Sequence, residues 1–257
     1  MSESQKTVIM STGDKGGAGK STTARLIGEI LCGNEAIKER PLICADGDTA
    51  NPDLITAFLG RPGIESMGFS PSKTEDINTL VEKIFTAPED AVILLDMPAG
   101  AGEHIQEESD MFQAIFSQPD INVHMVWTLN TGAPGVRQLH RMAEVFEGVP
   151  VKWTVVKNLF YSNNNPDAFP HFEQSEVKNK LAKTEGGLTV TNMKSMDDKS
   201  LKALANHSFS DAAANQIKEV PFYARVRAAS FLKDARDSFK HLIPESAPAP
   251  KNAKKGE

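Results

Sequence analysis

Residues 14–22 read Asp14-Lys15-Gly16-Gly17-Ala18-Gly19-Lys20-Ser21-Thr22, directly after the short apolar, β-branched run Thr7 to Thr12. A glycine-rich turn at the end of a strand can aim several backbone N–H groups inward, which is what a phosphate group needs. In such a loop Lys20 reaches the β/γ oxygens and the Ser21 hydroxyl ligates Mg²⁺. Downstream, Lys20 to Leu31 places Ala24, Ile27 and Leu31 at helical spacing. Strand, loop and helix together supply the context that this motif requires. Lys15 is not needed for that chemistry. It is either a surface lysine beside a glycine turn, or a cation that neutralises the nucleotide of a partner subunit, as a finger supplied in trans does.

A phosphate loop needs a carboxylate on a neighbouring strand to hold Mg²⁺ through water. Ala91 to Leu95 is a continuous apolar run, as expected of a central parallel strand covered on both faces, and it ends on Asp96. Met97-Pro98-Ala99-Gly100 follows, with Gly100 and Gly102 free to let the segment move with the state of a γ-phosphate. A second strand, Pro41 to Ala45, ends in Asp46-Gly47-Asp48.

Further strands are expected at Ile121 to Leu129, Val151 to Val156 and Leu188 to Thr191. Asn51-Pro52 reads as an N-cap and first helical residue of a helix through Phe58. Residues 60–74 read as a loop. Helices are expected at Asp76 to Phe85, Glu103 to Phe116 and Pro134 to Phe146. Residues 161–170 are a loop by composition, followed by helices at Phe172 to Leu181, Leu201 to Ala205, Asp211 to Ile217 and Pro221 to Leu242. Strands alternating with helices predict an α/β fold: a doubly wound, mostly parallel sheet flanked by helices, with its ligand at the carboxyl ends of the strands. One domain is expected over residues 1–243, with a disordered Pro/Ala/Lys-rich tail at 244–257.

The 257 residues are 40% hydrophobic and 24% charged, enough for a sizeable core. No apolar run approaches the roughly 18 residues of a membrane span, and the polar start MSESQK lacks the apolar stretch of a signal peptide. Cys32 and Cys44 have no metal-ligand spacing, so a reducing cytoplasm is the expected compartment. The net charge of −6 is uneven: residues 1–150 carry 11 basic against 22 acidic side chains, and residues 151–257 carry 17 against 12. That asymmetry fits either a basic face or a basic tail.

The pattern K-G-G-x-G-K-[ST]-T over Lys15 to Thr22 resembles the deviant Walker A box of the ParA/MinD family of P-loop ATPases, with Asp14 where the family pattern begins with Gly. Asp96 to Gly100 resembles the family's D-x-P-A-G switch II, and Asp46 to Asp48 its D-x-D switch I. The resemblance is specific over about residues 6–160. It implies ATP and Mg²⁺ as cofactors, with residues 14–22 around the phosphates and Ser21, Asp48 and Asp96 on the metal side. It also implies a homodimer in the ATP state, with Lys15 and Lys20 on the phosphates and Asp48 orienting the attacking water. Asp46 is then a metal-side or structural acid.

Asn158, just beyond the strand expected at Val151 to Val156, corresponds in the resemblance to a family asparagine that recognises adenine; a simple turn asparagine is the other reading. A second base-contacting loop would be Met193 to Met196 or Val220-Pro221-Phe222. A stimulating protein partner is implied, and non-specific DNA is possible through Arg225, Arg227, Lys233, Arg236 and Lys240, where a solvated helix face is the rival reading. The last helix mixes Phe231, Leu232 and Phe239 with Lys233, Asp234, Arg236 and Asp237, so no membrane insertion is expected. The function expected is a dimerising ATPase switch in plasmid partition, conjugation or cargo positioning. A metabolic P-loop ligase that phosphorylates a carboxylate is the alternative, and a module that only holds nucleotide is a third.

Overall fold

The computed structural model describes residues 5–13, 16–35 and 37–244. Its elements run β1 (Lys6–Gly13), α1 (Lys20–Cys32), β2 (Leu42–Asp46), α2 (Asp53–Phe58), β3 (Ile64–Gly68), α3 (Thr74–Thr86), β4 (Val92–Asp96), α4 (Ala101–Glu107), α5 (Ser109–Phe116), β5 (Ile121–Leu129) and α6 (Ala133–Val145). There follow β6 (Val151–Asn158), a 3-10 turn at Leu159–Ser162, α7 (Pro170–Glu173), α8 (Glu176–Leu181), β7 (Leu188–Met193), α9 (Asp198–Ala203), α10 (Phe209–Ala213) and α11 (Phe222–Phe239).

The strands form one parallel sheet in the order β3-β2-β4-β1-β5-β6-β7. β1, β2 and β4 are buried along their whole length; β2 and β4 are apolar at every position before their closing aspartates, and β1 is apolar at Val8 to Met10. Alternation instead sorts their side chains between two cores. Val8, Met10, Ile93 and Leu95 pack with α3 to α8 on one face. Ile9, Cys44 and Leu94 pack with α1, α2 and α9 to α11 on the other. This is the doubly wound single sheet expected from the alternating pattern. Among the described residues, no helix is long and apolar enough to cross a membrane.

Four local expectations are corrected. Residues 60–74 contain β3, an edge strand that pairs only with β2 and is half exposed, with Glu65 and Ser66 in place of an apolar run. The helix expected over Glu103 to Phe116 is two helices, α4 and α5, broken at Glu108. The one expected over Phe172 to Leu181 is split into α7 and α8, and the Ser175 hydroxyl caps the second by accepting from the Lys178 N–H. Asn51 is not the cap of α2: that helix begins at Asp53 with no side-chain cap from its own flank. Its free N–H groups are taken up from elsewhere, as described next. The tail expected at 244–257 lies outside the described residues beyond Pro244.

Candidate functional site

The carboxyl ends of β1, β2, β4 and β6 converge on the loop that precedes α1. Asp14 and Lys15 lie outside the described residues, so the loop is described from Gly16 onward. Gly17 has φ 82° and Gly19 has φ 99°, left-handed values that favour glycine. Gly19 opens α1 as its N-cap residue, without any side-chain cap, so the first N–H groups of a 13-residue helix are left for a ligand. Lys20 is buried. The Ser11 hydroxyl on β1 donates to its carbonyl at 3.1 Å. Ser21 and Thr22 are half-buried beside it.

Asp96 closes β4 and is 2% exposed. Burial first, then the neighbouring Asp46 carboxylate, push its pKa up to about 7; the Ser21 hydroxyl and the Lys20 ammonium work in the opposite direction. Neither carboxylate oxygen has a hydrogen bond of good geometry among the described residues. A buried carboxylate with no hydrogen bond of good geometry is completed well by a solvated cation. One Ser hydroxyl and one carboxylate beside a phosphate loop suit Mg²⁺, which keeps several waters and shares phosphate oxygens instead of requiring an all-protein cage. Among the described residues, no cluster of three or more His, Cys, Asp or Glu is placed to hold a metal by itself.

Asp46, the register partner of Asp96 at the end of β2, is spent differently. Its Oδ1 accepts from the Asp48 N–H at 3.0 Å, and its Oδ2 accepts from the N–H groups of Leu54 at 3.0 Å and Ile55 at 3.4 Å. Asp46 therefore caps α2 from a neighbouring strand, and of its two expected roles the structural one is occupied. Burial still raises its carboxyl to about 6 against these three donors. Asp48 is half-buried and its Oδ1 accepts from the Asn51 N–H at 3.0 Å. The segments that follow β2 and β4 meet at Gly47, whose N–H donates to the Asp96 carbonyl at 2.9 Å.

Asn158 at the end of β6 is 5% exposed. Its Nδ2 donates to the Ala18 carbonyl at 2.8 Å, and its Oδ1 accepts from the Phe160 N–H at 3.1 Å. A pocket of about 280 Å³ opens beside it, with Gly19, Thr22, Tyr161, Met193 and Met196 among its walls. Of the two loops that could close a base site, Met193 to Met196 lines this pocket, whereas Val220 is in the core and Phe222 is not among the lining residues. The loops after β6 and β7 are locked together by Asn164 and Ser195: each side chain accepts from or donates to the other residue, at 2.8 and 2.9 Å.

Three contributors carry no motif in the sequence. The Tyr161 hydroxyl donates to the Gly17 carbonyl. Thr128 on β5 donates to the Thr23 hydroxyl at 3.1 Å, which in turn donates to the Met193 sulfur at 3.5 Å. An aromatic residue three positions after the strand-closing asparagine was the one available signal for Tyr161. The basic stripe of α11 is divided: Arg225 donates to the Val220 and Lys218 carbonyls, and Arg227 pairs with Asp197 at 3.8 Å, while Lys233, Arg236 and Lys240 are exposed.

No protein-family model and no curated protein matches the chain. Solved structures of similar shape include a nucleotide-binding protein from Archaeoglobus fulgidus in complex with ADP, at 19% identity over 87% of this chain and 88% of that one, with a TM-score of 0.46. FlhF complexed with GMPPNP and Mg²⁺ is 18% identical over 74% of this chain and 66% of its own length, with a TM-score of 0.46. The MinC:MinD cell division protein complex of Aquifex aeolicus is 16% identical over 96% and 99%, with a TM-score of 0.48. At such identities the function is argued from the residues of the site.

Proposed function

We propose that the chain is a Mg²⁺-dependent ATPase that works as a nucleotide switch in the manner of the ParA/MinD family. One observation carries the reading: Asp96 lies buried with no hydrogen bond of good geometry among the described residues, beside the Ser21 hydroxyl and the Lys20 ammonium at the uncapped start of α1. A catalytically idle fold would gain by replacing that carboxylate with an apolar group.

In this reading the N–H groups of residues 16–22 cradle the phosphates, with Lys20 on the β/γ oxygens. Ser21 and, through water, Asp96 hold Mg²⁺, which neutralises phosphate charge. Asp48 takes the role of orienting the attacking water. Asn158 holds the loop and borders the base pocket that Met193 to Met196 close. Lys15 crosses to the phosphates of a second copy, so that ATP favours a homodimer and hydrolysis releases it. A partner protein, or DNA on Lys233, Arg236 and Lys240, reads the dimeric state, in the cytoplasm.

Light scattering of the Asp48→Ala variant tests this directly. A dimer with Mg-ATP and a monomer with Mg-ADP is expected. A monomer under both conditions overturns the switch and leaves a ligase that phosphorylates a carboxylate as the better reading. Lys15→Ala is expected to abolish dimerisation and hydrolysis. An unchanged rate removes the trans lysine, and equal turnover of GTP removes the assignment to ATP.

A further inference from the structure

The pocket beside the phosphate loop draws its walls from the ends of two different strands. One wall is the 3-10 turn after β6, which supplies Phe160 and Tyr161. That turn is fixed to the phosphate loop: Asn158 caps it through the Phe160 N–H and donates to the Ala18 carbonyl, and the Tyr161 hydroxyl donates to the Gly17 carbonyl. The other wall is Met193 to Met196, after β7. Met193 is tied to α1, where its sulfur accepts from the Thr23 hydroxyl at 3.5 Å, and Met196 is buried in the core. Between these anchors the segment turns outward through exposed Lys194 and half-buried Ser195.

Asn164 spans the two walls. Its N–H donates to the Leu159 carbonyl at 3.0 Å, at the root of the first wall. Its side chain holds the second: Nδ2 donates to the Ser195 hydroxyl at 2.8 Å, and Oδ1 accepts from the Ser195 N–H at 2.9 Å. Asn163 and Asn164 have φ of 50° and 63°, left-handed values that asparagine adopts more readily than other side chains. Two consecutive left-handed residues and a two-point contact fix both the distance and the angle between the walls, which one surface hydrogen bond does not. Asn158, by contrast, is 5% exposed and spends a donor and an acceptor on the loop and the turn, so the base is left to the walls.

We propose that Asn164 is the positioning residue for the nucleotide base: it sets the gap between the walls, so that binding of the base, and not of the phosphates, depends on it. The proposal rests on the nucleotide reading above. A flat base is gripped by its faces, and a gap wider by roughly 0.5–1 Å forfeits about a quarter to a half of the dispersion attraction. The phosphates are held by N–H groups at the start of α1, and none of the three Asn164 hydrogen bonds reaches them.

Calorimetric titration of the full chain with Mg-ATP and, separately, with Mg-tripolyphosphate tests this, because the second ligand carries phosphates without a base. The parent chain is expected to bind Mg-ATP the more tightly. Asn164→Gly keeps the left-handed backbone and removes both side-chain bonds. It is expected to weaken Mg-ATP about tenfold and to leave the Mg-tripolyphosphate affinity at the parent's value. Asn164→Asp is expected to recover most of the loss, since the Ser195 hydroxyl can donate to a carboxylate as well as accept from an amide. Asn164 is exposed, so neither change threatens the core. Equal losses for the two ligands in the Gly variant would mark a structural loop and overturn the proposal, as would an unchanged Mg-ATP affinity or an Asp variant as weak as the Gly one. A parent that binds the two ligands equally overturns the base pocket and leaves the phosphate loop standing. A parent that binds neither overturns the nucleotide reading, and the proposal with it.

Discussion

The Asn158 amide donates to the Ala18 carbonyl at 2.8 Å, so the end of β6 holds the phosphate loop from behind. The approach is so close that a Cβ at Gly19 would stand 2.4 Å from Asn158 Nδ2. The residue expected to recognise the base is therefore already committed to holding the loop at Gly17 to Gly19.

Asn158→Ala leaves the buried Ala18 carbonyl without its donor and the Phe160 N–H without its acceptor. A destabilisation of about 1–3 kcal/mol is expected in urea unfolding. Nucleotide affinity, read with a fluorescent ATP analogue, should fall along with that of ADP, because the loop and not only the base is affected. Asn158→Asp keeps the acceptor for Phe160 but places a carboxylate against a carbonyl, so it should be at least as damaging. An Asp variant as stable as the parent chain would contradict the assignment of the 2.8 Å contact.

Gly47 joins the segments that follow β2 and β4. A Cβ there would stand 2.6 Å from Pro98 Cδ and 3.1 Å from Phe69 Cζ. Gly47→Ala must push Pro98 away, at a cost of about 1–3 kcal/mol by analogy with overpacked cores. The expected signature is a lowered melting temperature together with loss of the nucleotide-dependent protection of residues 97–102 in hydrogen exchange. Protection that survives the substitution would show that the segments move independently.

Asp96→Asn separates the cost of the buried carboxylate from its use. The folded chain raises this carboxyl from its ordinary 3.8 to about 7, so the folded state holds the proton more tightly than the unfolded one. Its contribution to stability is therefore present at low pH and lost as pH rises through that window. Free of Mg²⁺ and nucleotide, the Asn variant should be more stable than the parent at about pH 8, by an amount on the order of 4 kcal/mol. The two should converge near pH 4. The stabilisation that Mg-ATP gives the parent, read as a thermal shift, should disappear in the variant; a full shift would remove Asp96 from the metal side.

The sheet was legible because its central strands are buried on both faces and must be apolar throughout, as Ala91 to Leu95 is. The edge strand Ile64–Gly68 was not, since one-sided pairing lets it carry Glu65 and Ser66 while its order comes from backbone hydrogen bonds to β2. Asp46 illustrates the same limit within the site. Two acids one residue apart look alike in sequence, and only the path of the chain brings Leu54 and Ile55 back to cap against the first. Glu103 to Phe116 kept its apolar spacing across Glu108, so periodicity alone did not reveal the break.

Acid sensitivity is expected from a group remote from the phosphate loop. His124 on β5 is 7% exposed, and burial, then the charges of Lys152 and His241, lower its pKa from 6.5 to about 4. It stays neutral in the fold, with its Nε2 3.2 Å from the Asn122 amide. The unfolded chain takes up a proton below about pH 6.5 and the folded chain does not until about pH 4, so stability is complete above the first value and falls as pH drops towards the second. His124→Gln keeps a polar partner for Asn122 without the titration. The parent should lose on the order of 3 kcal/mol more than the variant between about pH 7.5 and pH 4.5 in urea unfolding. His241, lowered in the same direction by burial and in contact with Thr154 at 2.9 Å, contributes a second, smaller loss. The double variant with His241→Gln isolates it. A pH dependence unaltered in both variants would place the acid sensitivity in the carboxylates instead.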